Sequence, residues 1–216
     1  MLVQFSRVTF QYGRREILRN ADLFLKPSEV VGLLGLNGTG KTTTMRLIAD
    51  ILAPNHGQIS RQFRCLGYLP EERGLYRRLV QLAATLVPRP DLMLWDEPFS
   101  GLDALNQELL LEVLKELRAE GVTILLSTHR LDDLELLADR TYILSQGHFT
   151  EYTPPKRPAR YRLRIAGEHS ERYETVEAAR LAEYVEAINA RGETLLAAIP
   201  ESGLETVFRT LVEGQG

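Results

Sequence analysis

A single cysteine, Cys65, stands in a chain of 216 residues. An internal disulfide is therefore impossible, and the placing of Cys65 among Arg64, Leu66 and Gly67 predicts a structural position in a strand. Long apolar runs are missing too. None approaches the roughly 20 residues that a spanning helix needs, and Met1-Leu2-Val3-Gln4 lacks the basic and then apolar layout of a secretory leader. Direct membrane insertion is not expected, and the cytoplasm is the expected location. Positive charge is not in excess, with 26 Lys and Arg against 29 Asp and Glu and a net charge of -3. Neither nucleic acid nor an anionic membrane surface is expected as the main partner. No internal repeat is evident. What is present, 44% hydrophobic and 25% charged residues, suffices to bury the core of one domain with a small appendage.

The most informative stretch is Gly35-Leu36-Asn37-Gly38-Thr39-Gly40-Lys41-Thr42, which fits G-x-x-x-x-G-K-[ST] without mismatch. Before it, Val30-Val31-Gly32-Leu33-Leu34 is a short apolar run that predicts a buried strand. After it, Thr43 to Leu52, with apolar Met45, Ile48 and Leu52, predicts a helix. Strand, glycine-rich turn and helix are the context in which such a loop holds phosphate. The glycines let successive backbone N–H groups turn inward, and the opening helix adds the partial positive charge of its N-terminus. Lys41 then reaches the β- and γ-phosphates, and Thr42 offers its hydroxyl to Mg²⁺. A flexible glycine-rich connector would explain neither the Lys-Thr pair nor the flanking elements.

Around this loop the chain reads as alternating strands and helices. Val3 to Ser6, Val8 to Tyr12 and, more loosely, Ala21 to Leu25 alternate apolar and polar residues and predict an antiparallel edge sheet. Pro54-Asn55-His56-Gly57 reads as a turn and Arg64 to Leu69 as a strand. Gln81 to Val87 is a short helix stopped by Pro88, Leu92 to Trp95 a strand, Ala104 to Glu120 a helix closed by Gly121, and Val122 to Ser127 a strand. Leu131 to Ala138 follows as a helix, then a hairpin of Thr141 to Leu144 and His148 to Tyr152 across Gln146-Gly147. Residues 154–160, with Pro154, Pro155 and Pro158, form the expected linker between a core at 1–153 and an α+β appendage at 161–216. The appendage reads as a strand over Tyr161 to Ile165, a helix over Val176 to Ala190, a strand over Leu195 to Ile199 and a helix over Leu204 to Val212.

Two strand ends carry further chemistry. Leu92 to Trp95 runs into Asp96 and Glu97 at the end where ligands gather in open α/β sheets. Asp96 suits a Mg²⁺ ion, and Glu97 can accept a proton from, or orient, the water that attacks a γ-phosphate. A strand ending in two solvated acids is common on its own and less so beside a phosphate loop. His129 closes Leu125-Leu126-Ser127-Thr128-His129, where an imidazole could hold the γ-phosphate, although a lone His in such a place is more often a surface residue.

From about Phe5 to Tyr152 this ordered set resembles the ATP-binding subunit of an ABC transporter. The resemblance implies an α/β P-loop NTPase (RecA-like) core, with the antiparallel N-terminal edge sheet and the small α+β C-terminal appendage added to it. It implies ATP and Mg²⁺ as ligands, with nucleotide contacts at Tyr12, Gly35, Asn37, Gly38, Thr39, Gly40, Lys41, Thr42 and Thr43. By the same likeness Tyr12, in Phe10-Gln11-Tyr12-Gly13, stacks on adenine, Thr42, Asp96 and Glu71 hold the metal, and Glu97 and His129 are the catalytic pair. Ser100-Gly101-Leu102-Asp103 matches the loop that touches a second ATP-binding subunit. The implied partners are that subunit, in a dimer of like or unlike chains, and a separate transmembrane permease that would hold the chain at the inner face of the membrane. The ending Leu204-Glu205-Thr206-Val207-Phe208 is similar to that of the small domain closing some export-type subunits.

The chain departs from that pattern twice. Glu71, in Gly67-Tyr68-Leu69-Pro70-Glu71, stands where most of the family has Gln. An ionised carboxylate still serves a hard cation but donates no hydrogen bond. More is lost between Gly74-Leu75-Tyr76-Arg77-Arg78-Leu79 and Val80-Gln81-Leu82-Ala83-Ala84, where the family carries a helical subdomain. Here the join falls near Leu79-Val80, and the Leu-Ser-Gly-Gly-Gln type signature is gone. Leu144-Ser145-Gln146-Gly147-His148 imitates it within a hairpin, where no helix N-terminus follows. The expected function is an ATP-hydrolysing subunit that energises export. The competing one is a nucleotide-binding but hydrolysis-deficient chain, regulatory or without a role of its own.

Overall fold

In the computed structural model, which describes residues 1–71, 75–154, 160–166, 171–201 and 203–213, Val3, Phe5, Val8 and Phe10 all face the core. The step from Phe5 to Val8 is odd, whereas a strand alternates faces with a period of two. A bulge reconciles them: Arg7 adopts φ +50°, and the register with both neighbouring strands shifts there. The two short strands expected at the N-terminus are thus one, β1 (Val3–Tyr12). It lies between β2 (Arg15–Leu25) and an edge strand that sequence pattern missed. That edge strand, β4 (His56–Arg61), includes Gly57, at φ +82°, where a Cβ would lie 2.2 Å from the bulged Arg7 carbonyl oxygen. What read as a turn is therefore the start of a strand fitted against the bulge.

After β3 (Val30–Leu34), buried throughout, comes α1 (Lys41–Ile48). The helix stops four residues short of the expected Leu52, and Asp50 turns to φ +60° just beyond it. The edge strand β4 (His56–Arg61) then ties back to it, Arg61 donating to the Leu47 and Ile48 carbonyls at 2.6 and 3.0 Å. At this end of α1 the Leu47 carbonyl also accepts the Asp50 N–H at 3.3 Å. In β5 (Leu66–Leu69) the strand begins one residue after Cys65, whose N–H donates to Asp91 Oδ2 at 3.1 Å. Cys65 is half-buried and lies just outside the strand predicted to hold it.

The expected helix at 81–87 is longer: α2 (Leu75–Leu86) runs unbroken through Leu79 and Val80. No glycine or proline lies between those ends to interrupt it. Gly74 lies outside the described residues, as do most of the expected linker residues, 155–159. The chain continues through β6 (Leu92–Asp96), α3 (Ala104–Ala119), β7 (Thr123–Thr128), α4 (Leu131–Leu137) and the hairpin of β8 (Arg140–Ser145) and β9 (His148–Tyr152). Asp103 caps α3, accepting from the Asn106 N–H at 2.9 Å. Gln146 and Gly147 both have positive φ, +51° and +82°, as a tight two-residue hairpin requires.

Six strands form one sheet in the order β5-β6-β7-β3-β8-β9, parallel except for β9. The buried Arg140 joins this sheet to β2. It donates to both Glu29 oxygens at 2.7 and 3.1 Å, to Tyr142 Oη at 2.7 Å and to the Phe24 carbonyl at 2.6 Å, and it stacks 4.3 Å from the Phe24 ring. Burial works against its charge, yet the bonds to Glu29 and Tyr142 hold the guanidinium above its ordinary range. Arg140→Met should lower unfolding free energy by about 3–5 kcal/mol, because it strands the Glu29 carboxylate. A denaturant midpoint equal to that of the wild type would rule this out.

The chain divides into two units, Met1–Thr153 with Leu211–Gly216, and Pro154–Thr210. The second unit stops short of the expected Gly216. Its sheet, ordered β11-β10-β12, comprises β10 (Arg160–Ala166), β11 (Glu171–Glu177) and β12 (Thr194–Glu201), all antiparallel. A core of Leu163, Ile165, Val176 and Ile188 lies beneath it. Val176 lies in β11, paired with Tyr161, rather than opening a helix. A 3₁₀ turn over Ala178–Arg180 precedes α5 (Leu181–Ala190), and α6 (Leu204–Glu213) closes the chain.

Candidate functional site

Strands β6, β7 and β3 are adjacent and parallel, so their C-terminal ends lie side by side. The residues that follow them meet in a cleft of about 590 Å³. The loop after β3 curls through Gly38 (φ +77°) and Gly40 (φ +116°). Gly40 is the N-cap of α1, and a Cβ there would lie 2.6 Å from Ile17 Cγ2, so neither backbone nor space admits a side chain. The loop thereby brings Asn37, Gly38 and Gly40, and the first residues of α1, Lys41, Thr42 and Thr43, into the cleft wall. Two expected members of the loop stand elsewhere. Gly35 presents its carbonyl to Lys41, and Thr39 turns its hydroxyl to the Leu36 carbonyl at 2.8 Å.

The Lys41 ammonium is buried, donating to the carbonyls of Gly35 at 2.8 Å and Leu36 at 3.4 Å, and it lies 3.4 Å from Glu97 Oε1. The other Glu97 oxygen is 3.0 Å from His129 Nδ1. Glu97 therefore sits between the Lys41 ammonium and the His129 imidazole, which follow different strands. Its backbone is left-handed, φ +48°, which is uncommon for a residue with a side chain. The turn sends consecutive acids in different directions. Asp96, at the end of β6, is buried, and its Oδ1 accepts from Ser127 Oγ at 2.5 Å.

Asp96 Oδ2 is buried with no hydrogen-bond partner among the described residues. Thr42 and Glu71 line the same cleft. A carboxylate oxygen and a hydroxyl are hard donors that fit Mg²⁺. Among the described residues no group of three or more His, Cys, Asp or Glu could hold a metal by itself.

Tyr12 stands at the mouth of the cleft, 46% exposed, its ring set edge-on to Phe10 at 4.9 Å. Sequence pattern did not point to Arg15 or Ile17, which complete the wall with Ser100, expected only as part of a loop touching a second subunit. Arg15 donates to the Gly38 carbonyl at 3.3 Å. Its nearness to the loop comes from the β1–β2 hairpin and has no local signature.

Residues 18–74 match the family model described as ABC transporter, and residues 76–132 match one described as AAA domain, putative AbiEii toxin, Type IV TA system. An ABC transporter ATP-binding protein of Methanocaldococcus jannaschii is 32% identical over 201 residues, in 69% of this chain and 76% of the relative. The chain belongs to the ABC transporter ATP-binding proteins. This ABC protein is also 25% identical to LptB, the lipopolysaccharide export system ATP-binding protein of Escherichia coli, over 67% of this chain and 87% of LptB. A solved ATP-binding subunit of an ABC transporter shares its fold with a TM-score of 0.62 at 26% identity, covering 71% of this chain and 90% of that one. The fold is thus that of ATP-binding P-loop NTPases, and the class is that of ABC ATP hydrolases. Among the described residues of this ABC protein, no helix is long and apolar enough to cross a membrane.

Proposed function

We propose that the chain binds MgATP and contributes one hydrolytic site to a dimer of ATP-binding subunits, which drives export through a separate permease. The observation that carries this is the meeting of Lys41, Asp96, Glu97 and His129 in one cleft at three adjacent strand ends. In this reading Tyr12 stacks on adenine, and the N–H groups of the loop and of α1 hold the phosphates. Lys41 exchanges the Gly35 and Leu36 carbonyls for phosphate oxygens. Thr42, Asp96 and Glu71 hold Mg²⁺, which when bound neutralises charge on the phosphate oxygens. Glu97 takes the proton of the attacking water. His129, with Nδ1 engaged by Glu97, turns Nε2 to the γ-phosphate. Tyr12→Ala should weaken ATP binding by about 1–3 kcal/mol, the usual worth of a base stack. Calorimetry giving the wild-type affinity would leave Tyr12 as a support for Phe10 alone.

The site is built for pairing with an unlike partner. Among the described residues a single helix, α2, makes the regular part of the β5–β6 connection, and the two family matches part at residues 74 and 76. The overlap with the archaeal relative counts 201 positions yet takes in only 69% of a 216-residue chain, so tens of its positions face a gap here. Leu144 to His148, the one stretch resembling a signature, is a hairpin turn. A complete partner can place its signature over ATP held by Lys41, Thr42 and Asp96, whereas this chain has none to offer in return. Export as the direction follows the name of the Escherichia coli relative. With a permease bound, the dimer sits at the inner face of the membrane.

The experiment is single-turnover hydrolysis by the chain alone and mixed with a signature-bearing subunit whose own catalytic Glu is changed to Gln. Turnover should be slow alone and at least about 10²-fold faster in the mixture, since losing even one preorganised donor costs about 10²–10³ in rate. Equal rates in both would overturn the asymmetric dimer. Absence of turnover in both would favour the second reading, a nucleotide-holding regulatory chain.

A further inference from the structure

We propose that Ser127 is a positioning residue for both acids of the site, its one hydroxyl choosing which Asp96 oxygen is left for the metal and fixing the heading of Glu97. The proposal rests on Asp96 as a Mg²⁺ ligand. Ser127 is fully buried on β7 and stands in register with Asp96 on β6. Its hydroxyl has one hydrogen and donates it to Asp96 Oδ1 at 2.5 Å. That oxygen is thereby engaged, and Oδ2 is the one left without a hydrogen-bond partner among the described residues. The same Oγ accepts the Glu97 N–H at 3.1 Å, and the Ser127 carbonyl accepts it at the same distance. Both acceptors lie at the peptide that enters the left-handed turn of Glu97. Removing the hydroxyl leaves a buried carboxylate oxygen without its donor and frees the carboxylate to rotate. The Asp96–Glu97 peptide keeps only the carbonyl as acceptor. A partner that orients a ligating carboxylate typically changes metal affinity by about 10–100-fold when lost.

The test uses the full chain and a fluorescent ATP analogue, with affinity measured in EDTA and then across a Mg²⁺ titration. Ser127→Ala should keep the metal-free affinity within about twofold and raise the Mg²⁺ midpoint about tenfold or more. Ser127→Thr, which keeps the donor, should recover most of that shift. Ser127→Cys has similar size and only a weak donor, so it should behave as Ser127→Ala and carries the test if the alanine variant does not fold. A wild-type midpoint in a folded Ala or Cys variant would overturn the proposal, as would an equal loss of metal-free affinity. Asp96→Asn separates the role of Ser127 from that of Asp96. If it shifts the midpoint and the Ser127 variants do not, Ser127 alone is wrongly assigned. If Asp96→Asn leaves the midpoint in place, the metal assignment of Asp96 fails with it.

Discussion

Lys41→Ala removes MgATP binding, with affinity falling by about 10²–10⁴-fold. The ammonium is already desolvated, and its present partners are the neutral carbonyls of Gly35 and Leu36 with Glu97 at 3.4 Å. Two charge-assisted bonds to phosphate oxygens, at about 1.5–3 kcal/mol each, give the size of the loss. Lys41→Met is the companion variant, because it fills the stem volume and separates lost charge from a collapsed loop. Both should retain the wild-type circular dichroism spectrum. Titration calorimetry showing the same nucleotide affinity in wild type and both variants would remove the phosphate loop as the nucleotide site.

Glu97→Gln should keep binding and stop the chemistry, lowering turnover in the mixed dimer by about 10²–10⁴-fold, the usual contribution of a positioned general base. The amide has the shape of the carboxylate and can still meet His129, but it cannot take a proton from water. Glu97 is placed for the role because its two oxygens are held apart, one 3.4 Å from Lys41 and one 3.0 Å from His129 Nδ1. Nucleotide affinity within about twofold of wild type is expected alongside the lost rate. Undiminished hydrolysis in this variant would shift the base to His129 or Glu71.

The phosphate loop was readable from sequence because its chemistry is local: eight consecutive residues make the turn and open the helix that follows. The strands β3, β6 and β7 were readable because burial on both faces leaves an apolar run at the centre of each, as in Leu92–Trp95 and Ile124–Leu126. Where structure depends on a distant partner, pattern failed. His56 to Arg61 carries one apolar residue, Ile59, and is a strand because β1 supplies its ladder. Val176 was expected to open a helix, whereas it pairs with Tyr161 and lies in β11. Ser127 had no visible role, since its bond to Asp96 follows from the β6–β7 register and from nothing within either strand.

The strand order also dictates when, during synthesis, the chain can first bind its ligand. β3, which carries the phosphate loop, is flanked by β7 and β8, with Val30 opposite Ile124 and Val31 opposite Arg140. Neither neighbour exists until long after Lys41 has left the ribosome. A nascent chain halted before Thr123 displays the whole motif with both edges of its strand bare, and it lacks His129 altogether. Bare strand edges are the regions most exposed to mispairing. A ligand stabilises only the state that binds it, so cellular ATP cannot guard the early stages of folding and becomes a stabiliser once β7 and β8 have closed around β3.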